Sequence, residues 1–573
     1  MEGDVFLYRY WAYLGLFCFS MISLVITDNL LLLYMFWELV GFSSYLLIGF
    51  WFTRESAALA AKKAFIMNRL GDLGFLTGIM IVFTQFRTLN ITELFDKGGL
   101  VLSAVVQNGL WLNGANQMPA VWLTIAGLAF FFGATAKSAQ FPLHTWLPDA
   151  MEGPTSVSSL IHAATMVAAG VFLLGRIYPL FDNTVLMVIA TIGAFTAFMA
   201  ATIALTQNDI KRILAFSTIS QLGFMMIAMG VGAYSASIFH LATHAFFKCL
   251  LFLAAGAVIH EMAHLKTKSG LDFDHQDIQN MGGLKKLMPL TFITMTLASL
   301  ALSGIPFTSG FLSKDAILIQ AFEWSDGQSI WVKLIPYSAF LTSGLTAFYI
   351  ARLLFKVFFG NFRLKNLASN IHLHEAPNVM KYVLLVLAVF CLFLPFSLSP
   401  FHYDSAWIFQ GLASAPEKVQ NSYHVIIPVT VSIMAVILIL VAYTWYGKRL
   451  TGPDLSKNSV FRFAQKQWYF NVLYTRIFVN GTTGLSLISF KFDRLVVDGL
   501  VNLLGKIGVV LSTISGWLDT YVIDGLINAI ASFAKTIGNF ARHLQTGRLQ
   551  HYLLTMVLVV LAVFVIKLFF PGI

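Results

Sequence analysis

Apolar runs too long for a water-soluble helix recur from one end of this chain to the other. A helix rising 1.5 Å per residue needs roughly 17–25 largely apolar residues to cross the hydrocarbon core of a bilayer. Runs of that kind lie near residues 11–27, 29–52, 62–86, 119–141, 155–180, 185–206, 212–231, 236–260, 288–323, 334–359, 381–398, 423–446 and 551–570. They predict about thirteen spans. Composition agrees, with only 11% charged residues against roughly 25% in soluble domains. Lipid offers the backbone no hydrogen-bond partners, so such spans must be helical. The expected fold class is therefore all-α and polytopic, with the lipid bilayer as an obligatory partner.

The formal charge of +10 does not point to nucleic acid. The basic residues sit in short clusters between apolar runs, where they read as topology signals. Cys18, Cys249 and Cys391 are isolated within apolar runs, and no CxxC spacing occurs. An iron–sulfur cluster or structural zinc is not expected, nor is a bound dinucleotide, since no glycine-rich fingerprint is present. The expectation is that this chain holds no cofactor and no metal. The start, MEGDVFLYRYWAYLGLF, runs into a span without a basic region or a small-residue cleavage site, so a cleavable signal peptide is not expected.

Lysines and arginines concentrate in the loops after the second, sixth, eighth, tenth and twelfth runs: Arg54, Lys62 and Lys63; Lys211 and Arg212; Lys266, Lys268, Lys285 and Lys286; Arg363 and Lys365; Lys448, Arg449 and Lys457. By the positive-inside rule these loops face the negative compartment, which puts the N-terminus inside. Lys62, Lys63, Lys211 and Arg212 read as anchors that snorkel to the interface. The fourth run, GATAKSAQFPLHTWLPDA, and the ninth, LSGIPFTSGFLSKDAIL, are each interrupted and each carry a lysine. Spans one to five and six to ten thus predict two five-helix repeats of opposite orientation with a broken helix in each, a transporter pattern. The expected organisation is a first repeat at 1–180, an inverted second repeat at 181–360 and additional spans at 361–450. A linker and lateral helix follow at 451–550, then a C-terminal anchor at 551–573. Between Lys491 and Gln545 polar residues recur every three or four positions, which predicts a long amphipathic helix on the inside face.

A charge at the bilayer centre costs roughly 2.5–3.5 kcal/mol on insertion scales, so ionisable residues within spans are functional candidates. Glu38, Lys137, His162, Lys314 and Asp315 lie within apolar runs. His240, His244 and Lys248 share one helical face at i, i+4 and i+8. Arg69 and Asp72, at i, i+3, read equally as a structural ion pair or a working one, and His162 could be a simple helix–helix contact. Glu38 and Lys137 have no oppositely charged neighbour in sequence. A carboxylate that approaches and leaves a buried lysine would load and unload it with a proton, and histidines could bridge the steps through water. The expected relay runs from Glu38 through Lys137, His162, His240, His244 and Lys248 to Lys314, with Arg69, Asp72 and Asp315 in support. His260-Glu261-Met262-Ala263-His264 matches the H-E-x-x-H zinc pattern, but it adjoins a lysine-rich loop with no evident third ligand, so a metalloprotease is not expected.

FWELVGFSSYLLIGFW, AKSAQFPLHTWLPDAMEGPTSVSSLIHAATMV, TQNDIKRILAFSTISQLGFM and HLATHAFFKCLLFL resemble the antiporter-like subunits of NADH:quinone oxidoreductase, respiratory complex I. LQTGRLQHYLLTMVLVV after an amphipathic helix is similar to the distal L-type members. The resemblance implies a proton-translocating subunit with the same buried residues as its channel. It implies neighbouring antiporter-like subunits contacted by the lateral helix, and FMN, iron–sulfur clusters, NADH and quinone in partner subunits. It further implies a multi-pass protein of the bacterial inner membrane rather than an organellar one, and about three more helices ahead of the position where this chain starts. An Mrp-type cation/proton antiporter or a membrane subunit of an energy-converting hydrogenase are the alternative readings.

Overall fold

The computed structural model describes residues 4–114, 116–364, 373–412, 421–448, 458–570 and 572. Lys365, Arg449 and Lys457, used in the charge argument, lie outside the described residues. Two compact units emerge, Met1–Asn471 and Val472–Ile573. Among the described residues, eleven helices are long and apolar enough to cross a membrane.

The longer helices of the first unit are α1 (Leu7–Ile26), α2 (Leu30–Ile48), α3 (Glu55–Phe86), α4 (Val121–Lys137), α5 (Thr155–Ala163), α6 (Met166–Arg176), α7 (Asn183–Ala204), α8 (Ile210–Gly230), α9 (Tyr234–Ser269), α10 (Pro289–Ser303), α11 (Ser309–Ser325), α12 (Ile330–Phe358), α13 (Asn378–Val389) and α14 (Tyr423–Ala442). Between α3 and α4 the chain forms a small antiparallel sheet, β1 (Val105–Gln107), β2 (Leu110–Asn113) and β3 (Asn116–Pro119).

Small residues set the closest approaches. A Cβ on Gly71 of α3 would fall 2.3 Å from Ala136 Cβ of α4, and one on Gly223 of α8 would fall 2.7 Å from Gly193 O of α7. Helices in lipid gain little from hydrophobic burial against one another, so close packing across small residues holds them together. α8 is the most enclosed: every residue of its apolar window is buried inside the protein.

Several expected spans differ in detail. The third begins at Glu55, so Lys62 and Lys63 stand on α3 rather than in a loop. The fifth is interrupted after Ala163, where Thr165 Oγ1 donates to Leu160 O at 2.6 Å and competes with the helical ladder. The ninth is two helices parted by Gly304 (φ 73°), Pro306 and Phe307 (φ 70°). The eleventh stops at Val389, short of Pro395, while the Cys391 carbonyl accepts from Ser309 N at 3.0 Å.

The second unit is helical from Val472 to Leu544, through α15 (Asn480–Phe492), α16 (Asp498–Trp517) and α17 (Asp524–Leu544), joined by wider π-turns at Thr475–Val479, Asp493–Val497 and Leu518–Ile523. A helix over 472–544 rises about 110 Å. α18 (Leu549–Phe569) follows. Both faces of this unit are exposed, including Leu526, Ile530, Phe533, Ile537 and Phe540.

Candidate functional site

The charged groups of α2, α3 and α4 converge. Arg69 Nη1 pairs with Glu38 Oε2 and lies 4.0 Å from Asp72 Oδ2. Glu38 therefore does have a counter-charge, on the next helix, and Arg69 serves Glu38 more closely than its sequence neighbour Asp72. Asp72 is buried and accepts from the Trp37 indole N–H at 2.7 Å. Lys137, the last residue of α4, is fully buried with Nζ 5.7 Å from the Trp37 ring centroid. A Cβ on Gly41 would come within 2.7 Å of that nitrogen, so a side chain there would displace the ammonium. α4 ends at Lys137, and Ser138 N and Gln140 N satisfy the Ala134 and Thr135 carbonyls of its last turn. The chain then turns through Ala139 (φ 47°), and the Trp146 indole donates to Ala136 O at 2.9 Å.

α5 carries the site towards α9. His162 is buried, its ring 4.9 Å from that of Phe252, and Ser159 one turn earlier donates to Cys249 O at 3.3 Å. On α9, Lys248 Nζ donates to Ser217 Oγ of α8. The His240 and His244 rings are 6.3 Å apart. His240 is held at both nitrogens, by Gln221 Oε1 at 3.1 Å and Ser313 Oγ at 2.9 Å, and Thr243 reaches the same Ser313 oxygen at 2.7 Å. Ser313 precedes Lys314, whose Nζ lies 5.1 Å from the Phe224 ring centroid, and Asp315 follows. All of these groups from His162 to Asp315 are buried.

Among the described residues, Lys137 Nζ, both ring nitrogens of His162, Lys314 Nζ and both carboxylate oxygens of Asp315 are buried without a hydrogen-bond partner. Native interiors leave few such groups unpaired, because each costs roughly 1–3 kcal/mol or more. Where the protein offers no partner, buried polar groups of this kind are ordinarily satisfied by ordered water.

Residues 27–342 match the family model for the membrane subunits of NADH:quinone oxidoreductase and Mrp antiporters. The NAD(P)H-quinone oxidoreductase chain 5 of Synechocystis is 41% identical over 560 residues, covering 89% of this chain and 78% of that protein. This chain belongs to that antiporter-like family. The F(420)H(2) dehydrogenase subunit L of Methanosarcina mazei is 40% identical over 551 residues, covering 89% of this chain and 78% of its own. A chain of the Mrp complex from Dietzia superimposes with a TM-score of 0.66 at 26% identity. The match covers 88% of this chain but only 52% of the Mrp chain, about half its length.

In this antiporter-like subunit, several working parts escape sequence reading. Trp37, Gly41, Ser217, Gln221, Thr243 and Ser313 hold or shape the charged groups, yet serines, threonines and glycines are common in spanning helices and none stands out alone. Lys211 does not snorkel. It is buried, and its ammonium donates to the Met151 and Gly153 carbonyls at the end of the α4 break. Lys63 pairs with Asp149 at 2.7 Å. The H-E-x-x-H motif comes apart on α9: His260 and His264 are exposed while Glu261 is buried, 3.4 Å from His374 N.

Proposed function

We propose that Glu38, Lys137, His162, His240, His244, Lys248 and Lys314 carry protons through the bundle, with Arg69, Asp72 and Asp315 setting their charge balance. The chain is a proton-translocating membrane subunit of a quinone oxidoreductase complex and performs no electron transfer itself. The observation that carries the relay is the series of buried polar groups lacking protein partners, running from the α4 break to the α10–α11 break. Arg69 holds Glu38 in this arrangement. Release of Glu38 would let it approach Lys137, and its return to Arg69 would let the lysine pass its proton onward.

FMN, iron–sulfur clusters, NADH and quinone belong to partner subunits in this reading. Relatives named for NAD(P)H and for F(420)H(2) are alike in similarity, so the electron donor is decided outside this subunit. The lateral helix runs along neighbouring antiporter-like subunits, and its exposed apolar residues support that role. We place the complex in a bacterial inner membrane. The two repeats are five helices each and oppositely oriented, with a lysine at the α4 break of one and at the α10–α11 break of the other.

Pumping by the assembled complex in sealed vesicles, read beside quinone reduction, tests the relay. Lys137→Ala should abolish pumping, and pumping at the wild-type ratio would refute the proposal. A cation/proton antiporter function of the Mrp kind would show instead as sodium-dependent proton flux without quinone reduction.

A further inference from the structure

The break after α4 is covered by a strap the relay does not use. Asn458 caps a short helix, Ser459–Gln465, and the chain then passes through Gln467, Trp468 and Tyr469, three successive non-glycine residues at φ 54°, 54° and 57°. L-residues avoid that region, and a run of three persists only where the surroundings impose it. Here the imposed result is a cluster of rings. Trp468 lies 5.8 Å from Phe195 on α7, and Phe470 lies 5.4 Å from Phe141 and 5.3 Å, edge-on, from the His144 ring. Polar contacts tie the strap at both ends. Gln207 Nε2 donates to Gln465 O at 3.2 Å, and Lys63, paired with Asp149, donates to Asn471 Oδ1 at 2.8 Å.

Beneath Phe470 sits His144. It is buried, its Nδ1 has no hydrogen-bond partner among the described residues, and it lies within the break. On one side the chain continues to Asp149 and Glu152, beside Lys63 and Ser56. On the other it returns to Lys137. An imidazole, which can take up a proton on one nitrogen as the other gives one up, is suited to passing a proton between two such ends.

We propose that His144 is the entry group through which protons reach Lys137 from the face carrying Lys63, Asp149 and Glu152, and that Phe470 and Trp468 close this entrance. The strap is thus a gate on the first broken helix. The proposal rests on the relay reading, but the two fail separately: the relay is scored by pumping during electron transfer, the gate by leak at rest.

The experiment uses the assembled complex in sealed vesicles without electron donor. A pH gradient is imposed, and proton entry is followed with a trapped pH dye. Phe470→Ala should raise the leak at least threefold, and adding His144→Leu should return it to the wild-type rate, because the opened path runs through the imidazole. A loosened structure would leak whether or not His144 is present. A Phe470→Ala complex of wild-type abundance with no added leak overturns the proposal, as does a leak that His144→Leu leaves in place. Should Phe470→Ala fail to assemble, Phe470→Val opens the same gap with less loss of packing and is scored identically.

Discussion

The two broken helices place their lysines at opposite ends of the break. Lys137 closes α4, so it sits at a carbonyl end, and its acids Glu38 and Asp72 come from α2 and α3 with Arg69 competing for them. Lys314 stands in the second turn of α11, near an amide end, with Asp315 beside it in sequence. The first lysine thus draws on acids of two other helices, whereas the acid next to the second stands on its own helix. Two sites alike in sequence pattern are thus built differently.

Among the supporting residues, the largest expected effect lies at the second break. Asp315→Asn removes the acid next to Lys314 on α11 and should slow pumping at least about tenfold, on the order of 1.4 kcal/mol. Asp72→Asn should cost much less, since Glu38 shares its role. Equal losses in vesicle pumping assays would break the comparison. Arg69→Gln comes next. It should slow pumping roughly fivefold, about 1 kcal/mol, with Arg69→Lys recovering most of the rate. No recovery would mean that shape rather than charge holds Glu38.

A smaller effect separates the two turns. Gly304 has φ 73°, and a Cβ there would meet Lys314 Cδ at 3.4 Å. Gly304→Ala should destabilise the assembled complex by about 1 kcal/mol or more, seen as a lowered denaturation midpoint. Ala139→Gly at the first break, where an L-residue already occupies φ 47°, should lose nothing. The smallest effect belongs to Lys63→Met. A half-exposed pair such as Lys63–Asp149 contributes within about 1 kcal/mol, so complex stability should barely change.

The spans were legible because insertion into lipid demands long apolar runs, and Glu38, Lys137 and Lys314 because the same demand makes a buried charge conspicuous. Both broken helices announced themselves through Gly, Pro and polar residues inside apolar sequence. The Glu38–Arg69 pair was hidden because its partners lie on different helices, and periodicity reports only neighbours on one. Lys211 read as an interfacial anchor because its position near a span end fits that role, whereas its two carbonyl partners come from the distant α4 break. The strap at Gln467–Tyr469 left no signal, since nothing in Gln-Trp-Tyr marks a left-handed run.

The central claim is that water joins these buried groups into one path. A high-resolution map of the assembled complex tests it most directly. Ordered waters linking Lys137, His162, Lys248 and Lys314 in an unbroken file are the predicted result. Lysine and carboxylate groups that face lipid, or that are walled off from one another by packed side chains, would contradict it.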